Sequence, residues 1–400
     1  MRLGTCIALE IVTGLVAVGA ASMGTAWAVG ELREPAPVRK PVAVSAAKLP
    51  AAPATAPAPA AAAADAAVPT PVAITSASAT VDPDPAARDP DPDPIPVPRL
   101  ADSGSAIDPS WMFAGQPDGP LLAPLRTGKL TRVKFNRGGT SLSLRLDFDN
   151  GARAAFKPEQ IHLHSNPRKE IAAYRVDRLL GIGRVPPAIG RTFTLAELVA
   201  VVDKSQKFAT HRLRDEMISR RGVTKGEMSW WIPVLGDMFI GKNRIDSTDA
   251  IVQWRKWLKA GAVIPEERRA LCEQISAMAL YDFLIDNTDR WSGNNARASE
   301  DGNFLYFMDN TLAFSKKKQG NHKGHLYLQR VQTFSRKLVA RLRVLKVEEV
   351  RAVLANDVEP FDRLLTDVEI DAVMGRRDVL MKYVDDLIAT HGEDKVLVFP

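Results

Sequence analysis

A long stretch rich in alanine and proline limits how much of this 400-residue chain can fold. Residues 31–100 contain 16 of the 28 prolines, and proline and alanine together occupy 37 of those 70 positions. Such a composition cannot bury enough apolar surface to offset the entropy lost when a chain becomes ordered. We therefore predict a disordered linker over residues 29–104, followed by one folded domain, residues 105–400, that is large enough to bury a core.

The first 28 residues have the pattern of a secretory signal. A basic residue, Arg2, precedes an apolar run over residues 11–21, and the small residues Ala26 and Ala28 follow. This order is typical of a cleaved signal peptide, so we predict export to a periplasmic, secreted or lumenal location. An uncleaved signal anchor is the alternative, because residues 4–29 are nearly long enough to span a bilayer. In that case the domain could remain in the cytoplasm, and contact with a membrane would be confined to this segment.

The charge distribution argues against a nucleic-acid partner. The chain has 53 Lys and Arg residues against 47 Asp and Glu residues, a formal net charge of +6, and the two signs are interspersed. Nucleic-acid-binding proteins usually concentrate positive charge on one face or arm. Removal of the signal would also leave Cys272 as the sole cysteine, so no internal disulfide is expected. Nothing in the pattern indicates an oligomeric state.

Alternating apolar residues predict three strands at the start of the folded domain. Residues 130–135 and residues 142–148 alternate between apolar and polar types, with Gly138 and Gly139 between the two runs. Such alternation is typical of strands that have one buried face. A turn-forming Asp-Asn-Gly sequence then leads to a third strand, residues 152–156.

The next residues supply groups that bind nucleotide phosphates in many enzymes. Lys157 follows the third strand directly, and Asn166 is a suitable cap for a helix that carries Glu170. In phosphotransferases, glycines let the backbone approach the phosphates, a strand-borne lysine pairs with them, and a helix-borne glutamate holds that lysine. Each feature alone is common in proteins without this function. Their order predicts that the two glycines, Lys157 and Glu170 contact or support a nucleotide.

The second half of the domain carries two aspartates at a spacing suited to metal-dependent phosphoryl transfer. A long helix over residues 266–285 leads to Asp289, and an apolar strand over residues 304–308 leads to Asp309, 20 residues after the first aspartate. Phosphoryl transfer requires an aspartate that orients or deprotonates the attacking hydroxyl, and oxygen ligands for divalent ions. Asp289 fits the first role, and Asp309 and Asn294 fit the second.

Some of these residues also have simpler structural explanations. Asp286 and Asn287 are placed to end the preceding helix, and Asp309-Asn310 could be an ordinary turn. For Asp286 we expect the structural role. For Asp289 and Asp309 we favour function, because both are flanked by strands and follow a first half that suits the same chemistry.

A few other side chains give weaker indications. Trp230 with Trp231, and Trp254 with Trp257, could line a groove that stacks on a sugar. Tryptophans at such spacing more often belong to a core. Arg376, near the end of the chain, is expected to be solvated.

Several longer segments resemble the secretory-pathway atypical kinases, a family that includes the Golgi casein kinase, the glycosaminoglycan xylosyl kinase and the four-jointed kinase. The matching segments are Phe156–Pro158, Glu170–Leu180, Arg184–Arg191, Asp282–Arg290 and Asp309-Asn310. The similarity covers roughly residues 125–390 in the family's order, which is more specific than any single motif. It implies a bilobed α+β fold of protein-kinase type, with a small β-rich lobe that carries one helix and a larger, mainly helical lobe.

By this resemblance, the chain is a kinase that transfers the γ-phosphate of ATP to a hydroxyl group with Mn²⁺ or Mg²⁺. Lys157 would contact the nucleotide phosphates, and Glu170 would support the lysine or the metal. Asp289 would be the catalytic base, and Asp309 would bind the metal. The family phosphorylates both proteins and sugars, so a protein Ser/Thr acceptor is the first expectation and a glycan hydroxyl the second. A pseudokinase, a kinase-like binding module without activity, is the alternative, and the presence of these four residues argues against it.

The sequence departs from the family at three points. Residues 291–294 replace the two histidines, the tyrosine and the glutamate that follow the family's Asp-Arg pair, and Asn294 restores the asparagine of ordinary kinases. Thr311 stands in place of the glycine that follows Asp309-Asn310, and the family's structural cysteines are absent. These differences remove no group that the chemistry requires. They favour a distant branch of the family, such as a bacterial one, and leave the acceptor open.

Overall fold

The computed structural model describes the folded domain but not the whole chain. The described residues are 108–136, 141–291 and 295–400. The predicted signal and linker, the glycines Gly138 and Gly139, and Asn294 lie outside this set, so their assignments remain predictions. Within it, the chain forms a small lobe built on a β-sheet and a larger lobe built mainly from helices.

An antiparallel sheet of five strands is the framework of the small lobe. The strands are β1 Leu130–Phe135, β2 Leu144–Phe148, β3 Arg153–Pro158, β4 Ala188–Thr194 and β5 Val223–Trp230. Their spatial order is β1-β2-β3-β5-β4, so the first three form a meander and β5 lies between β3 and β4. Leu144, Leu146 and Phe148 are buried as the alternation predicts. The three predicted strands are therefore confirmed, with β2 beginning two residues later than expected.

The strand that carries Lys157 is longer than predicted, and a glycine on the neighbouring strand explains the extension. β3 continues to Pro158 because it pairs with β5, which places Lys157 opposite Glu227. Opposite Pro158, Gly226 lies against the ring of Phe156, and a Cβ at this position would come within 2.3 Å of the ring. Any larger residue there would push the two strands apart. Lys157 is consequently fixed inside the sheet and not at its end.

The second helix of the small lobe carries Glu170 and reaches the large lobe. The helices of the small lobe are α1 Asp118–Thr127, α2 Pro167–Leu179, α3 Leu195–Ala200 and α4 Thr210–Asp215. As predicted, Asn166 caps α2: its side-chain oxygen accepts a hydrogen bond from the backbone N–H of Arg168 at 3.2 Å. α2 packs against β4, β5 and a helix of the large lobe. Several of its charged residues are buried in ion pairs, such as that of Arg178 with Asp118 at 2.7 Å.

Helices form most of the large lobe. In chain order they are α5 Thr248–Trp257, α6 Arg269–Ile285, α7 His322–Leu328, α8 Arg336–Val344, α9 Val347–Ala355, α10 Asp367–His391 and α11 Glu393–Val396. A small sheet consists of β6 Gly236–Asp237, β7 Arg297–Ala298 and β8 Leu305–Tyr306. Two hairpins pair Met112–Phe113 with Gln116–Pro117 and Phe239–Ile240 with Asn243–Arg244. None of the helices in the described ranges combines the length and the apolar character needed to cross a membrane.

Helix α6 runs through the core of the large lobe and ends where the candidate site begins. The first predicted turn of this helix, Glu266–Arg268, is a short 3-10 helix. At the other end, Asp286 has a left-handed backbone with φ of 57° and ends the helix. Its carboxylate accepts hydrogen bonds from the backbone N–H of Asn321, at 3.0 Å, and from the hydroxyl of Ser315. The structural role expected for Asp286 is confirmed.

Arg376 contradicts the expectation of a solvated side chain. It is fully buried on α10, and burial lowers its pKa to about 10. Its guanidinium donates hydrogen bonds to the carbonyls of Leu284 at 2.7 Å, Ser315 at 3.0 Å and Lys317 at 2.8 Å. The physical reason is the packing of α10 against α6, a contact that hydrophobic periodicity cannot reveal. The arginine joins α10 to the end of α6 and to the segment that follows Asp309.

We expect Arg376→Met to destabilise the domain strongly. The substitution removes the donor from three buried carbonyls, and a buried acceptor left unsatisfied costs about 1–3 kcal/mol. Urea denaturation should show a loss of about 3 kcal/mol or more in the free energy of unfolding. The matched control is Arg363→Ala, since Arg363 is exposed and should change this value by less than about 0.5 kcal/mol. A loss for Arg376→Met no larger than the control would contradict the structural role.

Candidate active site

Lys157 lies between two carboxylates that come from different lobes. Its ammonium group is 2.5 Å from Oε1 of Glu170 on α2 and 2.9 Å from Oδ1 of Asp309, which follows β8. Burial alone would lower the pKa of Lys157, but Asp309, Glu170 and Glu227 outweigh it and raise this pKa above its ordinary value. The lysine in turn lowers the pKa of Asp309. The structure thus brings together Lys157, Glu170 and Asp309, termed here the Lys157 cluster.

Asp309 is held in place by its neighbour Asn310. The backbone of Asp309 is left-handed, with φ of 62°, a conformation that costs a non-glycine residue about 1–2 kcal/mol. The backbone N–H of Asn310 donates to Oε2 of Glu170 at 2.9 Å, and its side-chain amide bonds a carbonyl in the same segment. The hydroxyl of Thr311 lies 3.4 Å from Oδ1 of Asp309. Glu170 consequently contacts both Lys157 and the segment that carries Asp309.

Asp289 is connected to Asp309 through one intervening residue, Asn287. The backbone N–H of Asp289 donates to Oδ1 of Asn287 at 3.0 Å. The side-chain amide of Asn287 donates to the Asp309 carbonyl at 3.2 Å and to Oδ1 of Asn310 at 3.0 Å. Oδ2 of Asp289 accepts a hydrogen bond from Asn295 at 2.8 Å. The sequence indicates only a helix-ending role for Asn287, whereas in the structure it bridges the two aspartate segments.

Arg290 anchors the loop that carries Asp289 to the core of the large lobe. Its side chain is fully buried and lies 3.2 Å from Asp282 on α6. It also donates to Oδ1 of Asn310 at 2.8 Å and to the carbonyl of Met308. Burial raises the pKa of Asp282 to about 6, although the positive charge of Arg290 opposes this shift. The Asp-Arg pair of the sequence motif therefore joins a half-buried aspartate to a buried structural arginine.

A cavity of about 440 Å³ opens beside the Lys157 cluster. The cluster lines this cavity together with the apolar side chains of Trp230, Trp231 and Ile232. Larger clefts occur elsewhere on the domain, but no residue of the Lys157 cluster lines them. Trp254 belongs to the core instead, where its indole N–H donates to the carbonyl of Ile245 at 3.0 Å. The cavity suits a ligand that has a flat apolar part and an anionic part accompanied by a divalent cation.

Glu227 is a candidate functional residue that the sequence analysis missed. It lies on β5 opposite Lys157, lines the cavity and is only 1% exposed. Neither carboxylate oxygen has a hydrogen-bond partner of ordinary geometry among the described residues. Burial and the like charge of Glu170 raise the pKa of Glu227 to about 8, and Lys157 offsets this shift only in part. A glutamate in the middle of a buried strand is the signal that could have identified it.

The donor atoms of the site suit a hard divalent cation. Carboxylate oxygens of Glu170, Asp309 and Glu227 face one cavity, and Mg²⁺ and Mn²⁺ prefer such oxygen ligands. In the part of the chain that the structure describes, no three Asp, Glu, His or Cys side chains are already arranged to hold a metal ion. Two of these carboxylates are paired with Lys157 instead. The residues fit a cation if the lysine releases at least one of them.

Comparison with solved structures identifies the class of this fold. The Golgi casein kinase matches with a TM-score of 0.54 and 17% identity, covering 70% of this chain and 77% of that chain. The Golgi casein kinase with Mn/ADP bound matches with a TM-score of 0.53 and 17% identity, covering 70% of this chain and 78% of that chain. The domain therefore has the bilobed kinase-like α+β fold that the sequence predicts.

Sequence comparison leads to the same family. Human glycosaminoglycan xylosylkinase is 23% identical over 321 residues, 70% of this chain and 77% of the relative. The human extracellular serine/threonine protein kinase FAM20C is 22% identical over 331 residues, and the mouse pseudokinase FAM20A 23% over 314 residues. These matches cover 69% and 65% of this chain, but only 55% and 56% of the two relatives. No protein-family model matches the chain. At 22–23% identity, the chain is similar to members of the secretory-pathway kinase family.

We expect Arg290→Met to destabilise the domain by about 3–5 kcal/mol, because it leaves the Asp282 carboxylate buried without its cation. The native state then keeps a proton on Asp282 at pH values where the unfolded chain has lost it. The free energy of unfolding consequently falls as the pH rises above about 4, the pKa of an aspartate in the unfolded chain. In the unaltered chain this decline ends near pH 6, the pKa of Asp282. Without Arg290 this pKa is higher, so the decline continues beyond pH 6. Urea denaturation should show a larger loss at pH 8 than at pH 5.

The control for this prediction is the double variant Arg290→Met with Asp282→Asn. It removes the titrating carboxyl, so the extra pH dependence should disappear. An equal loss at pH 5 and pH 8 for Arg290→Met alone would contradict the assignment to Asp282.

Proposed function

We propose that the chain is an ATP-dependent kinase of the secretory-pathway type, which transfers the γ-phosphate to a hydroxyl acceptor. The observation that carries this proposal is a cavity lined both by the Lys157 cluster and by Trp230 and Trp231. ATP with a divalent cation matches both kinds of lining, because its adenine ring is flat and its phosphates bind the cation and the lysine. The Golgi casein kinase structure with Mn/ADP bound, which shares the fold, supports the proposal.

The residues around the cavity divide the chemistry between them. Lys157 binds the nucleotide phosphates as a point charge, and Glu170 and Asp309 hold Mn²⁺ or Mg²⁺. When bound, the divalent ion neutralises part of the phosphate charge. Asp289 accepts the proton of the acceptor hydroxyl or orients that hydroxyl toward the γ-phosphate. The hydrogen bonds of Asn287 keep the Asp289 segment beside the Asp309 segment.

Three predicted residues outside the described ranges complete this assignment. Gly138 and Gly139 would let the backbone approach the phosphates, and Asn294 would be a further metal ligand. The predicted signal would export the domain, and the alanine- and proline-rich linker would act as a spacer.

The acceptor is proposed to be a protein Ser or Thr, with a glycan hydroxyl as the alternative. The relatives include a serine/threonine protein kinase and a glycosaminoglycan xylosylkinase, so both acceptor types are represented. A pseudokinase is also among them, which makes an inactive binding module the second candidate. The presence of Lys157, Glu170, Asp289 and Asp309 favours activity, because each supplies a group that phosphoryl transfer requires.

Phosphate transfer from labelled ATP tests the proposal directly. The full chain is incubated with Mn²⁺ or Mg²⁺ and with casein, a panel of saccharides, or no added acceptor. We expect transfer by the unaltered chain and a loss of about 100-fold or more in Asp289→Asn and Asp309→Asn. Asp362→Asn, the same substitution at an exposed site, is the control and should retain activity.

The outcomes of this assay separate the candidates. The labelled acceptor decides between a protein kinase and a glycan kinase. Activity that survives in both aspartate variants would refute the catalytic assignment. Nucleotide binding without any transfer would favour the pseudokinase.

Trp231→Ala should weaken ADP binding in the presence of Mn²⁺ by about tenfold, because stacking of a base on an aromatic ring contributes about 1–3 kcal/mol. Isothermal titration calorimetry measures the affinity, and a thermal shift gives an independent check. Ligand at 100 times its dissociation constant adds about 2.7 kcal/mol to the stability of the unaltered chain. Trp257→Ala is the control, since Trp257 packs against the core away from the cavity. Equal affinities for the two variants would place the adenine elsewhere.

A further inference from the structure

Glu227 has no task in the proposed chemistry, although it is buried inside the same site. It lies directly opposite Lys157 across the β3–β5 pair, so both side chains leave the same face of the sheet. Its carboxylate oxygens have no hydrogen-bond partner of ordinary geometry among the described residues, although the Ser229 hydroxyl is close enough to offset part of the rise in pKa that burial causes. A buried polar group without a partner is costly, and such groups in native proteins usually have a catalytic role or meet an ion.

The Lys157 cluster must exchange bonds before it can hold a metal–nucleotide complex. The ammonium group of Lys157 has three hydrogens, and two of them are directed to Glu170 and Asp309. These are the carboxylates proposed to hold the cation. A divalent cation needs their lone pairs and repels the ammonium group, so its binding displaces Lys157 from at least one of them.

A displaced Lys157 needs another carboxylate in the same place. Its side chain is only 15% exposed, so water cannot fully replace a lost ion pair. Asp309, Glu170 and Glu227 are the carboxylates whose charge acts on Lys157 most strongly. Among the described residues, Glu227 is the member of this set that forms no ion pair, and the proposed function assigns the metal to the other two carboxylates.

We propose that Glu227 is a positioning residue, which takes over the ammonium group of Lys157 when Glu170 and Asp309 turn to a divalent cation. The inference rests on the proposed function, since it assumes a metal–nucleotide complex in this cavity. The exchange removes no further side chain from water, because Glu227 is already buried. It keeps Lys157 aligned along β3 and leaves ammonium hydrogens free for a phosphate oxygen.

The test is a double-mutant cycle on Mn²⁺ binding by the full chain, which requires no turnover. Electron paramagnetic resonance of free Mn²⁺, at saturating ADP, gives the affinities of the unaltered chain, Glu227→Gln, Lys157→Met and the double variant. We expect Glu227→Gln to weaken Mn²⁺ binding about tenfold, because Lys157 then stays on Glu170 and Asp309. In the Lys157→Met background, the same substitution should change the affinity less than about twofold. Glu300→Gln, at an exposed site, is the matched control and should have no effect.

A second variant keeps the test decisive if Glu227→Gln fails to fold, which its melting temperature reports. Glu227→Asp retains the charge on a shorter side chain and should weaken Mn²⁺ binding less than about threefold, again only when Lys157 is present. If Glu227→Gln weakens Mn²⁺ binding equally in the unaltered chain and in the Lys157→Met background, which lacks the ammonium group, or does not weaken it at all, the inference is overturned and the kinase proposal stays intact. Coupled effects without phosphate transfer would refute the kinase proposal and support the role of Glu227. An unaltered chain that binds no Mn²⁺ with ADP would overturn the inference as well.

Discussion

The ion pairs of Lys157 join β3, helix α2 and the segment after β8, so the candidate site exists only where these three meet. Ion pairs in a buried setting add little net stability, because the cost of removing the charges from water offsets most of their attraction. Their contribution is to geometry. If the segments move apart, a buried charge loses its partner. Arrangements in which the two lobes separate at Lys157 are therefore disfavoured. The capped start of α2 places Glu170 in the first turn of that helix, within hydrogen-bond distance of Lys157.

The backbone around the site is held in conformations that most residues avoid. Asp286, Asp309 and Phe314 all have a left-handed backbone, with φ between 56° and 62°. Such conformations persist where surrounding contacts determine them, and they cluster at functional sites. Here the contacts come from two buried arginines: Arg290 donates to a carbonyl just before Asp309, and Arg376 donates to one carbonyl just before Asp286 and to another just after Phe314. The segment that carries the candidate catalytic groups is therefore anchored from the core and not from the surface.

Short-range signals in the sequence were sufficient for one part of this arrangement. Apolar alternation predicts β1 to β3, Asn166 predicts the start of α2, and Asp286 predicts the end of α6, because each depends on neighbouring residues only. The positions of Arg376 and Glu227 depend on distant segments. Arg376 bonds backbone carbonyls, which have no sequence signature, and a charged residue near a chain end is usually solvated. Glu227 faces Lys157 only through the register of β3 and β5, which alternation does not determine.

A continuous series of contacts connects the nucleotide side of the site to the candidate catalytic base. Lys157 bonds Glu170, Glu170 accepts from Asn310, and Asn310 accepts from Asn287, which also accepts from the backbone of Asp289. A cation that draws Glu170 toward itself therefore acts on the Asn310 segment and, through Asn287, on Asp289. Glu227 has no bond to any member of this series. Glu227 can consequently pair with Lys157 without disturbing the contacts that hold Asp289. A new partner that belonged to the series would have to break one of those contacts.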